Sequence, residues 1–119
     1  MRKLRSDKEI ELRKRIEYEH AYFKYRILSK GRSEIYDACN QIRVTECVYE
    51  YVIYNDNLKM KYIDALLRFK GNIFDELYGM YLQNEFTEVG TWKDIEEFLN
   101  VVISEQEKLV EVDAYDMKE

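Results

Sequence analysis

The residues able to do covalent or metal chemistry are few. The chain has one histidine, His20, and two cysteines, Cys39 and Cys47. A thiol needs a base beside it to act as a nucleophile, and no motif places His20 next to either cysteine. On one helix the two cysteines stand about 12 Å apart along the axis, too far for a disulfide. They read as reduced, small apolar residues of a reducing compartment. Glu17-x-x-His20 has the spacing used by di-iron helical bundles, but such a centre needs two copies of that motif and two further glutamates. Glycine-rich phosphate loops and calcium loops are absent. The adjacent carboxylates Asp75–Glu76 and Glu96–Glu97 diverge by about 100° on a helix and read as solvated or first-turn charges. The sequence therefore predicts a non-enzymatic protein with no cofactor and no metal. His20 itself reads as a polar, partly exposed helix residue.

What remains is a chemistry of surfaces, and charge is sorted along the chain. Residues 1–32 hold eleven Lys/Arg and five Asp/Glu, a net of +6. Residues 33–71 hold five and six, a net of −1. Residues 72–119 hold three and thirteen, a net of −10. The overall charge of −5 hides two ends of opposite sign, each suited to a different partner. The chain also has eleven tyrosines against one Trp and five Phe. Tyrosine buries a large ring, keeps a polar tip and loses little entropy when fixed, which suits interfaces.

The elements that position these groups are helical. Proline is absent and glycine occurs four times in 119 residues, which favours long helices in a single domain. Ser6 and Glu9 form a capping box that opens a long basic helix over 6–30, with Gly31 as a left-handed stop. Leu12, Ile16, Phe23 and Ile27 share one stripe of it; Tyr18, Tyr22 and Tyr25 share another. Ser33 caps a second helix whose apolar run is Ile35, Ala38, Cys39, Ile42, Tyr49, Val52 and Ile53. Its β-branched residues leave a strand over 47–54 as the competing reading, but the apolar spacing does not alternate. Asn57 caps a third helix over 58–70 with Leu58, Tyr62, Leu66 and Phe69 inward and Gly71 as its stop. Asn72 caps a fourth helix carrying Phe74, Leu77, Tyr78 and Tyr81. A loop over 84–90 follows. Thr91 and Asp94 open the last helix, with Trp92, Ile95, Leu99, Val102, Ile103 and Val110 inward. Tyr36, Tyr49, Tyr62, Tyr78 and Tyr81 are expected in the core. The expected architecture is all-α, a compact bundle of about five helices. Residues 33–112 form its helical core and 113–119 an acidic tail. The longest aliphatic run, Val101–Ile103, falls far short of a membrane span, and a cytoplasmic location is expected.

The stretch "EIYDACNQIRVTECVYEYVIYNDNLKMKYIDALLRFKGNIFDELYGMYLQNEF" carries Glu46 to Glu50, Ala65-Leu66-Leu67, and Asn72, Asp75 and Tyr78 at a recognisable spacing. Over roughly residues 34–99 it resembles a small helical family of unknown function from gut Firmicutes and their mobile elements. The resemblance implies a bacterial or phage context and transfers no catalytic residue. By analogy, small acidic helical proteins of such elements include accessory proteins and inhibitors of host defence such as anti-CRISPR proteins.

The functional expectation is a protein-binding inhibitor or accessory protein of a phage or mobile element. Its partner would be a nucleic-acid-binding effector of the host. Two surfaces are candidates: an acidic face of the last helix (Asp94, Glu96, Glu97, Glu105, Glu107), and the first helix (Arg13, Lys14, Arg15, Tyr18, Tyr22, Tyr25). The alternatives are direct nucleic-acid binding by Arg13, Lys14, Arg15, Lys24 and Arg26, or self-association in which the basic end of one chain meets the acidic end of a second.

Overall fold

The computed structural model describes residues 6–116, with side chains through Leu109. It is all-α, and no strand occurs among the described residues. Six helices follow in chain order: α1 (Asp7–Leu28), α2 (Arg32–Asp37), α3 (Cys39–Tyr54), α4 (Met60–Leu67), α5 (Ile73–Gln83) and α6 (Trp92–Asp116). The two long helices α1 and α6 each pack on α3, α4 and α5, which form a layer between them; α2 packs on α3. The core is one cluster running from Leu12 and Ile16 through Val48, Tyr51, Leu66, Phe74 and Tyr81 to Phe98, Leu99 and Val102. Among the described residues no helix is long and apolar enough to cross a membrane.

The capping chemistry explains most boundaries. Ser6 Oγ accepts the Glu9 N–H at 3.2 Å and starts α1. Asn72 Oδ1 accepts the Asp75 N–H at 3.1 Å and starts α5. Thr91 and Asp94 cap reciprocally: the Asp94 N–H donates to Thr91 Oγ1 and the Thr91 N–H to Asp94 Oδ2. Residues 47–54 are helical, because the buried Val44, Val48, Tyr51 and Val52 repeat at helical rather than alternating spacing.

Five expectations are corrected. The single helix opening at Ser33 is two helices, α2 and α3, divided at Ala38. There φ −89° and ψ 5° interrupt the ladder, and α2 buries no side chain that would hold it in line with α3. Gly31 and Gly71 are not left-handed stops, since no glycine has positive φ among the described residues. Gly31 instead precedes α2 as its N-cap, and α1 ends at Ser29, whose hydroxyl donates to the Tyr25 carbonyl. Asn57 does not cap α4; its N–H is taken by Asn55 Oδ1 in a local turn, and α4 starts three residues later. Tyr36, Cys39 and Trp92 are exposed rather than inward. Finally, α6 continues through Asp116, past the expected start of the acidic tail at 113. Val110's side chain and residues 117–119 of that tail lie outside the described residues.

Tyr51 links the middle layer to α6 and carries a pH prediction. It is fully buried and donates its hydroxyl to Glu96 Oε2 at 2.9 Å. Burial pushes the hydroxyl above its ordinary value near pH 10, and the Glu96 carboxylate pushes it further. The raised value lies on the folded side, so Tyr51 contributes stability below about pH 10 that is lost as pH rises above it. Urea unfolding at pH 8 and pH 11 should show that loss, and Tyr51→Phe should be less stable by about 1.5 kcal/mol at pH 8 with a shallower alkaline decline. An unchanged alkaline slope in Tyr51→Phe would remove Tyr51 as its source.

Candidate interaction surfaces

The basic residues of α1 divide sharply. Arg13 donates to the carbonyls of Ile53 and Asn55, the latter at 2.8 Å, and so caps the C-terminal end of α3. Arg15 donates to the carbonyls of Phe69 and Gly71 at 2.6 Å each, beyond the end of α4. Its Nε also binds Glu19 at 2.8 Å. Arg26 holds both carboxylate oxygens of Asp75, at 2.8 and 3.0 Å. Cations at helix C-termini and charge-assisted hydrogen bonds to carboxylates are stabilising placements. Of the five cations considered for nucleic-acid binding, three are thus engaged within the fold, and Lys14 and Lys24 are exposed.

The tyrosines of α1 behave differently. Tyr18, Tyr22 and Tyr25 all stand on the outer surface. The Arg26 guanidinium lies 5.2 Å from the Tyr22 ring centroid, so one tyrosine is partly braced by a cation.

On α6, Asp94 closes the N-terminal cap and Glu96 receives the Tyr51 hydroxyl. Both are half-buried, while Glu97 and Glu107 are exposed. Glu105 lies half-buried on the rim of a groove of about 840 Å³ between the end of α4, α5 and α6. Phe69, Met80 and Leu109 give that groove apolar walls, and Arg68 and Lys70 bring positive charge to its edge. The five acidic residues therefore do not form one face: two serve the fold, one edges a groove and two face solvent.

His20 is a correction. It is buried, not partly exposed. Its Nε2–H donates to Glu46 Oε1 at 2.8 Å, and its ring stacks on Tyr49 at 3.8 Å between centroids. The signal was present: His20 falls four residues after Ile16 and three before Phe23, on the aliphatic stripe. Glu19 was missed in the same way. It is buried and accepts the Ile73 N–H at 2.6 Å, fixing the start of α5.

Cys39 is exposed and Cys47 half-buried, both as free thiols. Burial pushes the Cys47 thiol above its ordinary value, against a lowering by Arg43. Among the described residues no three His, Cys, Asp or Glu side chains gather in a way that could hold a metal ion. Comparison with known proteins finds no matching family, no matching curated protein and no matching solved structure.

Proposed function

We propose that the chain is a non-enzymatic binding protein that presents Glu97 and Glu107, the exposed carboxylates of α6 that stand among Lys93 and Lys108, to a basic surface on a protein partner. The observation that carries this reading is the unequal fate of the two charged ends. Arg13, Arg15 and Arg26 are engaged by carbonyls and carboxylates of the fold, whereas Glu97 and Glu107 remain exposed. A phosphate backbone would meet few free cations on α1 and an acidic remainder. A basic nucleic-acid groove would meet complementary charge. By analogy with small acidic helical proteins of mobile elements, the proposed target class is a nucleic-acid-binding effector of bacterial defence, the role of an anti-CRISPR-like blocker in the host cytoplasm.

DNA cleavage by guide-loaded Cas effectors, titrated with the protein, tests this. Inhibition is expected, strongest at low salt. The double variant Glu97→Lys/Glu107→Lys should weaken it on the order of tenfold or more. A chain that inhibits no effector overturns the inhibitor reading. A gel shift of duplex DNA at low salt by the protein alone would favour the nucleic-acid reading instead.

A further inference from the structure

The outer face of α1 carries an apolar stripe that no described residue covers. Ile10, Tyr18, Tyr25 and Leu28 are 42%, 75%, 70% and 75% exposed, and Tyr22 beside them is 50% exposed. Helical spacing puts Ile10, Lys14, Ala21, Tyr25 and Leu28 within about 40° of one line along the helix. Tyr18 and Tyr22 flank that line on one side, Glu17 and Lys24 on the other. Glu17 and Lys24 are both exposed, and no ion pair of the described residues uses either.

The geometry points to a second copy of the same chain as the occupant, with the two α1 helices antiparallel. A two-fold axis crossing the helix between residues 20 and 21 places positions 17 and 24 equally far from it, about 5 Å along the helix. Each Glu17 then lies beside the Lys24 of the other copy, twice per dimer, as an isologous interface requires. On the opposite flank Tyr18 of each copy meets Tyr22 of the other. Ala21, the small residue at the axis, lets the helices approach to the roughly 8–10 Å of ordinary helix packing. Lys14 reaches the last turn of the other copy's α1, where the negative end of the helix dipole favours a cation. A parallel pair would set Glu17 against Glu17 and Lys24 against Lys24. The charge pattern therefore selects the antiparallel arrangement. This interface leaves α6 untouched, so it stands or falls independently of the proposed inhibitory role.

Sedimentation equilibrium on the full chain, at low and moderate salt, tests it. A reversible dimer is expected. Lys24→Glu and Glu17→Lys should each weaken it on the order of tenfold by opposing like charges. Their equimolar mixture should regain the wild-type association, because opposite charges then meet on both sides of the axis. Both sites are exposed, and unchanged far-UV circular dichroism will confirm that the variants fold. A wild-type monomer at roughly 100 μM and low salt overturns the proposal. So does a dimer indifferent to both reversals, which would place association on another face, or a mixture no stronger than its parts.

Discussion

Arg15→Ala will destabilise the fold by about 3 kcal/mol and lower the thermal midpoint by roughly 10 °C. Arg15 sits where three helices meet. From α1 its guanidinium reaches the Phe69 and Gly71 carbonyls, each at 2.6 Å, while Nε holds Glu19 at 2.8 Å. Glu19 in turn accepts the Ile73 N–H that starts α5. The pair is largely withdrawn from solvent, with side-chain exposures of 26% and 10%. Truncation leaves a nearly buried carboxylate without its cation and two carbonyls without a donor, and breaking such a pair costs more than forming it gains. Arg15→Lys should recover little, since a single ammonium cannot span a carboxylate and two carbonyls at once. Calorimetry on both variants checks this. A loss below about 1 kcal/mol would mean that water replaces the guanidinium at the α4–α5 turn.

Arg15 also marks where sequence reading stopped. The apolar stripes of α1, α4 and α5 were legible because burial repeats at the helical period. The capping pairs Ser6–Glu9, Asn72–Asp75 and Thr91–Asp94 were legible because the capping side chain and the N–H that donates to it are three residues apart. What Arg13 and Arg15 do was not, because their partners lie 40 to 56 positions away. A basic residue flanking an apolar stripe reads the same whether it ends in solvent or on another helix's carbonyls. The missed break at Ala38 has the same origin. Alanine is a good helix former, and only the lack of a buried side chain on α2 distinguishes a break from a continuous helix. Among the candidate site residues, the exposure of Tyr18, Tyr22 and Tyr25 follows from their separate stripe. The division of the five α6 acids does not follow from any local pattern, since it depends on where Tyr51 and the end of α4 come to rest.

The largest single loss is expected at Tyr81. Tyr81→Ala will cost about 4 kcal/mol, enough to remove a large part of the stability of a domain this size. The residue is buried on the inner side of α5. Its ring stands edge-on to Phe98 of α6 at 5.8 Å between centroids and lies near Phe86 and Tyr78 at 6.2 and 6.1 Å. Its carbonyl accepts the Phe86 N–H, so backbone and ring together hold the 84–90 loop against α5. Truncation would open a cavity where α5, α6 and that loop converge, and aromatic neighbours on three sides cannot collapse into it without leaving their own contacts. The hydroxyl matters much less. It accepts from Arg43 Nη2 at 3.1 Å, but the same nitrogen also reaches Asn40 Oδ1 at 3.1 Å, and Arg43 is exposed enough to be hydrated. Tyr81→Phe should therefore cost less than about 1 kcal/mol. Urea titrations of the two variants separate the ring from the hydroxyl: the midpoint should fall steeply for Tyr81→Ala at unchanged slope. Trp92 opens α6 just after the loop, so its fluorescence should report the same transition as far-UV circular dichroism. If the tryptophan signal of Tyr81→Ala moves at lower urea than the helical signal, the ring's main work is to seat the loop and the start of α6, rather than to hold the whole bundle together.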